Sequence, residues 1–298
     1  MSATVDAARR RAVLPRLASF VAVRFAPPVY VSYGVLWAPS LEAAVSALGG
    51  TAWRPSWGSA LRAVSLVFAL LFMRMLDEQK DLAYDRRHNP GRPLVTGAVT
   101  AGELRAAMVA LAVVGTAANG VVSTASALVY LAALGYGLLL AAVERASPRL
   151  AESLIPNLFV VYPVQVLVSV YLVVSVGARV SWGLVAVLVA YAGAFLHFEF
   201  ARKTSRRSRK GERLYSELLG PGGSAAVAVG CALVGCLGLL VVCLPHGGAA
   251  WLVCLAALPA GWGAVCFLIR QNESWPVRPA MAVVVAVHSV LIVVGATA

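Results

Sequence analysis

Three aspartates recur at intervals of four residues in a polar run that follows an apolar segment. They are Asp77, Asp81 and Asp85, within the sequence DEQKDLAYDRRHNPGRPLVTG at 77–97. On a helix, residues four apart share one face. Oxygen ligands suit Mg²⁺, and carboxylates near a bilayer are candidates for function because they are costly there. The spacing therefore predicts an array of carboxylates that holds one or two Mg²⁺ ions. The ligand expected to bind to such an array is a diphosphate.

A solvated helix end is the competing interpretation of this acidic run. Lys80, Arg86 and Arg87 are spaced to neutralise the acids through ion pairs, as on many exposed helices. The sequence that follows, NPGRP at 89–93, favours a site instead, because such a rigid turn folds Arg92 back over the carboxylates. A planar guanidinium matches a pair of phosphate oxygens.

The elements that must position these residues are apolar. Of the 298 residues, 60% are hydrophobic and 13% are charged, and the mean hydropathy is +0.81. This composition leaves too little polar surface for a soluble protein and predicts an all-α, polytopic membrane protein. Nine stretches approach the length of about 20 residues that crosses a bilayer. They are 18–37, 58–76, 104–119, 121–142, 155–176, 182–200, 223–244, 249–269 and 279–297.

The net charge is +12, and the basic residues that produce it lie mainly in the segments on one side of the predicted membrane. This distribution argues against a nucleic-acid partner. If the N terminus is inside, the outer segments hold only Arg54, Arg62 and Arg179. This is the positive-inside distribution for an odd number of spans. We therefore expect a cytoplasmic N terminus, an outer C terminus and a bacterial plasma membrane. The basic residues of the inner segments are Arg9, Arg10, Arg11, Arg16, those from Lys80 to Arg92, Arg145, Arg149, those from Arg202 to Arg213, Arg270 and Arg278.

In this acidic run the chain resembles the UbiA superfamily of intramembrane prenyltransferases, whose first motif is N/D-D-x-x-D-x-x-x-D, followed by a basic turn and R-P-L-x-x-G. The matching residues are Asp77, Glu78, Asp81 and Asp85, then Arg92, Pro93, Leu94 and Gly97. The resemblance implies one domain over residues 1–298, with nine helices around a central cavity. Cytoplasmic loops at 77–103 and 202–222 would cap that cavity. It also implies Mg²⁺ as the cofactor, with Asp77, Glu78, Asp81 and Asp85 as its ligands.

A second polar segment follows the sixth span. The resemblance implies D-x-x-x-D there, whereas this chain has Glu199 and Lys203. Because Glu199 lies inside an apolar run, we expect it to face a cavity or a partner. A protonated lysine cannot bind Mg²⁺, so we expect Lys203 and Arg202 to bind the diphosphate directly. The alternative for the basic residues between Arg202 and Arg213 is an anchor against anionic lipid.

Four further polar residues support a site. Arg24 lies within the first span and is expected to turn inward, because an unpaired guanidinium facing lipid is costly; the resemblance implies that it holds diphosphate. Arg145 follows Glu144 where relatives often carry Lys-Arg, so the resemblance implies a second diphosphate contact. Asn157 and Tyr162 are the polar exceptions on the fifth span that could meet an acceptor, and the sequence does not choose between them.

The chemistry implied is ionisation of an isoprenyl diphosphate. The leading hypothesis is prenyl transfer to an aromatic or other lipophilic acceptor in the bilayer. The alternatives are a UbiA-type terpene cyclase, which needs no second substrate, and a non-catalytic membrane protein that binds isoprenoids or lipid head groups. The predicted catalytic residues are Asp77, Asp81, Asp85 and Glu199, and the predicted diphosphate-binding residues are Arg24, Arg92, Arg145, Arg202 and Lys203.

Overall fold

A computed structural model describes residues 12–25, 27–147, 149–150, 153–208 and 213–298, without the side chains of Pro28 and Val29. Part of the predicted cytoplasmic loop at 202–222 lies outside these ranges. Five of the basic residues predicted to lie in the inner segments are also outside these ranges: Arg9, Arg10, Arg11, Arg209 and Lys210.

Helices account for most of the described residues, and the only β-contact among them is an isolated bridge between Ser205 and Ser274. The α-helices are α1 Val13–Phe20, α2 Pro27–Leu48, α3 Trp57–Lys80, α4 Leu82–His88, α5 Pro93–Thr96, α6 Ala101–Val122, α7 Thr124–Ala146, α8 Leu154–Val161, α9 Pro163–Ser175, α10 Trp182–Arg202, α11 Tyr215–Cys243, α12 Cys254–Ala264 and α13 Val277–Thr297. Single π-helical segments extend α1 over Val21–Phe25 and α12 over Val265–Ile269, and a 3₁₀ segment, Gly247–Val253, precedes α12.

Eight helical segments within the described ranges are long and apolar enough to cross a membrane. The number becomes nine if Val13–Phe25 and Tyr30–Leu48 form one broken span, bent by 72°. The protein is therefore an all-α, multi-pass membrane protein, as predicted. Among the predicted spans, the first, 18–37, differs most from the helix boundaries in the structure. Proline suits the first turn of a helix, and α2 begins at Pro27 and continues to Leu48.

The described chain divides into two compact units. The first contains the residues up to Val35 together with Ala60–Ser175. In its interior, the buried Asn119 side chain of α6 donates to Ser65 Oγ of α3 at 2.9 Å and accepts from the Tyr171 hydroxyl of α9 at 2.8 Å. Such polar contacts join helices in an apolar environment. Three helices, including the one that leads into the acidic run, are thereby held together.

The second unit contains Leu36–Ser59 together with Val176–Ala298. Its helices α10 and α11 approach closely at Gly193, where an added Cβ atom would lie 2.3 Å from the backbone nitrogen of Gly235. Small residues permit such an approach in membrane helices. The close packing fixes the position of α10, whose last turn carries the second polar segment.

Candidate functional site

The acidic run extends from the last turn of α3 through α4. Asp77 and Glu78 belong to α3, Asp81 lies between the two helices, and Asp85 lies in α4. The backbone N–H of Asp81 donates to the carbonyl of Asp77, and that of Asp85 to the carbonyl of Asp81, each at 2.9 Å. The three aspartates thus remain one turn apart across the junction. Their side chains nevertheless have different partners, which divide the four acids into a closed pair and an open pair.

Glu78 and Asp85 form the closed pair and are 1% and 2% exposed. Glu78 Oε1 lies 2.6 Å from Arg24 Nη2, 2.7 Å from Arg74 Nη2 and 3.7 Å from Arg92 Nη1. Asp85 pairs with Arg92. Arg24 thus turns toward the protein, as expected for a cation in a membrane span. Arg92 does fold back onto the acids, and its partners are these two carboxylates.

The R-P-L-x-x-G sequence explains how Arg92 reaches the closed pair. Pro93 occupies the first position of the short helix α5, where its missing N–H costs nothing. Gly97 ends that helix with a φ of 75°, a left-handed conformation that favours glycine. Arg92, immediately before α5, is therefore held by a turn with little conformational freedom.

Asp77 and Asp81 form the open pair. The Asp77 side chain is 48% exposed, and its Oδ1 atom lies 3.3 Å from Lys80 Nζ. Asp81 is partly exposed. Its pKa is raised above the usual range, mainly because burial disfavours the charged carboxylate. Lys80 opposes this shift, whereas the charges of Asp77, Asp85 and Glu144 add to it.

A polar pocket of about 290 Å³ lies beside the open pair, within the first unit. Its lining residues come from the ends of α3 and α7, from the junction after α3 and from α8. They are Lys80, Asp81, Glu144, Arg145 and Asn157. Lys80 Nζ lies 2.6 Å from Glu144 Oε2, which links α3 to α7. Arg145 is exposed and has no ion-pair partner among the residues that the structure describes.

The second polar segment, in the other unit, places one carboxylate between two cations. Glu199 Oε2 accepts a hydrogen bond from Arg202 Nε at 2.7 Å, and its Oε1 atom lies 2.8 Å from Lys203 Nζ. Lys203 Nζ also lies 5.3 Å from the centre of the Tyr215 ring. The expectation that Glu199 meets a partner is consistent with these contacts. The three side chains together carry one positive charge.

The described residues contain no group of three or more His, Cys, Asp or Glu side chains placed to hold a metal ion. The open pair nevertheless fits Mg²⁺, because this ion is commonly bound by one or two carboxylates while substrate phosphates and water complete its shell. The closed pair fits less well, since arginines already neutralise both carboxylates. The structure thus separates acids that the sequence motif groups together.

Sequence reasoning missed the ion pair between Lys80 and Glu144. Helical spacing makes Lys80 a neighbour that neutralises the aspartates, and the resemblance makes Glu144 a departure from a basic pair. The two residues are 64 positions apart, so helical spacing does not connect them. The available signal was their opposite charge: a lysine within the acidic motif, and an acid where relatives often carry a lysine.

No protein-family model and no curated protein matches the chain. Among solved structures, it is similar to a UbiA homolog from Aeropyrum pernix K1 in its apo form, with 21% identity and a TM-score of 0.62. The similarity covers 88% of this chain and 96% of that one. The chain therefore has the fold of this UbiA homolog, which confirms the resemblance to the UbiA superfamily at the level of the fold.

Proposed function

We propose that the protein is a Mg²⁺-dependent intramembrane prenyltransferase. It ionises an isoprenyl diphosphate and transfers the prenyl group to an aromatic or other lipophilic acceptor. The observation that carries the proposal is the open pair, Asp77 and Asp81, beside a polar pocket where apolar helices end. One fold hosts many functions, so the proposed activity depends on this site, and the UbiA-type fold supports it as an analogy.

Asp77 and Asp81 would hold Mg²⁺ together with oxygens of the substrate diphosphate. When bound, the ion neutralises charge that develops on the leaving diphosphate. Glu78 and Asp85 act differently in this proposal, because their arginine partners already satisfy them. They position Arg24, Arg74 and Arg92, which carry one more charge than the two carboxylates.

Fixed cations would stabilise the remaining charge of the diphosphate. Arg145 is the best placed of them, since it lines the pocket and has no ion-pair partner among the described residues. The positive surplus around Arg24 and Arg92 supports the same role. Arg202 and Lys203 are proposed as further contacts because they outnumber Glu199 by one charge. Preorganised charges of this kind lower a barrier without reorganising during the reaction.

The proposed reaction breaks the bond between the allylic carbon and the diphosphate oxygen. Both electrons leave with the pyrophosphate, and a carbon atom or heteroatom of the acceptor then bonds to the allylic cation and loses a proton. Water would capture the cation and divert the reaction, so the apolar helices serve to exclude it. The bilayer also supplies a route for lipophilic donor and acceptor.

A terpene cyclase is the second candidate, and Lys203 is the observation that favours it. Lys203 stands where the resemblance implies an aspartate, and it pairs with Glu199. This departure distinguishes the chain from a standard member with two aspartate motifs. In a cyclase, the cation would be captured within the same prenyl chain, and no acceptor would be needed.

One experiment separates the two candidates. Detergent-purified protein would be incubated with Mg²⁺ and geranyl, farnesyl or geranylgeranyl diphosphate, with and without aromatic acceptors. Pyrophosphate and the extracted products would be measured, the latter by mass spectrometry. We expect release and a prenylated product only when an acceptor is present. Cyclic hydrocarbons without an acceptor would establish the cyclase, and no release under any condition would overturn both candidates.

We also propose that the N terminus is cytoplasmic and the C terminus lies outside, in a bacterial plasma membrane. The distribution of basic residues supports this orientation of the termini, because the proposed outer segments contain only Arg54, Arg62 and Arg179. Alkaline phosphatase fused after Ala298 should be active in bacterial cells, because this enzyme needs the periplasm. An inactive C-terminal fusion, together with an active fusion at the loop after α4, would contradict this topology and indicate the opposite orientation.

A further inference from the structure

Arg270, in the second unit, follows directly on an apolar segment, Gly247–Ile269, that is long enough to cross a membrane. Its guanidinium carbon Cζ lies 4.4 Å from the centre of the Trp262 ring, which belongs to α12 within that segment. Trp262 is 48% exposed on the surface of the helix. The Arg270 side chain therefore runs back along the span, and its charge is held on the outer surface of the span.

No carboxylate neutralises Arg270 in the described part of the chain. The sequence at 262–278 contains one acid, the exposed Glu273, and this carboxylate lies 3.4 Å from Arg207 Nη1. Arg206 also stacks on a ring of this region, that of Phe267, but its Nη2 atom donates to the Phe267 carbonyl at 2.9 Å. Arg270 is exposed and contacts a ring face, which accepts none of its N–H groups in the usual geometry. Its guanidinium is thus available to an anion.

The side chains next to Arg270 are apolar and exposed. Leu268 and Ile269, which precede it, are 41% and 73% exposed. Exposed apolar patches of this kind mark membrane contacts, and on a span they lie against acyl chains. A cation beside acyl chains is costly unless it reaches the interface or pairs with an anion. The phosphate of a phospholipid is such an anion, because it carries its own acyl chains to the same place.

We propose that Arg270 and Trp262 form a binding site for the phosphate of an anionic phospholipid, in the leaflet where α12 ends. The guanidinium pairs with two phosphate oxygens, and the indole fixes the guanidinium from its other side. A head group with its own ammonium ion is less suitable, because Glu273, the acid that could bind it, is already paired with Arg207. The site is independent of the proposed prenyl transfer.

The test measures lipid binding to the full-length, detergent-purified protein by native mass spectrometry. The probes are phosphatidylglycerol and a diacylglycerol with the same acyl chains, which lacks the phosphate. We expect the first phosphatidylglycerol to bind at least about tenfold more tightly than the diacylglycerol. One basic residue near the surface contributes about 1 kcal/mol to the binding of anionic lipid, or about fivefold. Arg270→Gln should therefore weaken binding of phosphatidylglycerol at least about fivefold and leave that of the diacylglycerol unchanged.

Two further variants make the test specific. Arg278→Gln removes an exposed arginine of the same region and should weaken binding at most about twofold, because water screens its charge. Trp262→Leu keeps an apolar side chain but removes the ring face, so it should weaken binding several-fold. This variant keeps the test usable if Arg270→Gln does not fold. An equal loss in Arg270→Gln and Arg278→Gln would reveal attraction by net charge alone and overturn the inference. Equal binding of the two lipids, or unchanged binding in Arg270→Gln, would overturn it as well.

Discussion

At the scale of single residues, neighbouring acids of one motif differ in what their side chains can do. Glu78 and Asp85 are buried against arginines, whereas Asp77 and Asp81 are accessible beside a pocket. A carboxylate that is already neutralised gains little from a metal ion, and an accessible one keeps its oxygen atoms available. Glu78 and Asp85 therefore hold the surrounding arginines in place, and we propose a chemical role for Asp77 and Asp81.

Asp85→Asn should lower the stability of the folded protein. The substitution removes the nearest carboxylate of the partly buried Arg92 and leaves it only Glu78, at 3.7 Å, and a hydrogen bond to a charged group is worth about 1.5–3 kcal/mol. Thermal unfolding in detergent would measure the loss. Asp77→Asn is the matched control, since its side chain is 48% exposed and should change stability much less. Equal stability of the two variants would contradict the division into closed and open pairs.

Lys203→Asp should lower turnover and raise the Mg²⁺ concentration that the enzyme requires. A cation that would contact the diphosphate is replaced by an acid, and the Lys203 pair with Glu199 is lost. Pyrophosphate release as a function of Mg²⁺ concentration is the measurement. Arg207→Asp, at an exposed position of the same segment, provides the matched charge reversal. If Lys203→Asp behaves like Arg207→Asp, Lys203 has no role as a fixed cation.

At the scale of helices, the sequence predicted most spans because long apolar stretches have few alternatives in a membrane. The boundaries were less predictable. The seventh span was expected to begin at 223, whereas α11 begins at Tyr215. Gly220 has a φ of 71°, and Pro221 follows it, so the chain bends there and helical structure continues on both sides. A glycine before a proline indicates a break in the helix, but it does not show that the helix resumes.

Gly193→Ala should destabilise the packing of α10 against α11. The added Cβ atom would lie 2.3 Å from the Gly235 nitrogen, which forces the helices apart. Overpacking of this kind costs about 1–3 kcal/mol. Gly230→Ala in α11 is the control, because no atom lies within 4 Å of its added Cβ. Unfolding of both variants in detergent would be compared, and equal stability would show that the close approach is not required.

At the scale of the whole molecule, the UbiA-type fold was predictable, and the division of the acids was not. Hydropathy and the long composite motif were sufficient for the fold. The site depends on contacts between residues far apart in the chain, such as Lys80 with Glu144 and Arg24 with Glu78. Spacing along one helix shows which residues share a face. It does not show which cations from other helices neutralise them.

The central claim is that Asp81 takes part in ionising an isoprenyl diphosphate. Its most direct test compares the rate of pyrophosphate release in wild-type, Asp81→Asn and Glu273→Gln proteins, with Mg²⁺, a prenyl diphosphate and an acceptor. The account predicts a loss of about 100-fold or more in Asp81→Asn, with folding retained, and a wild-type rate in Glu273→Gln. A wild-type rate in Asp81→Asn would contradict it.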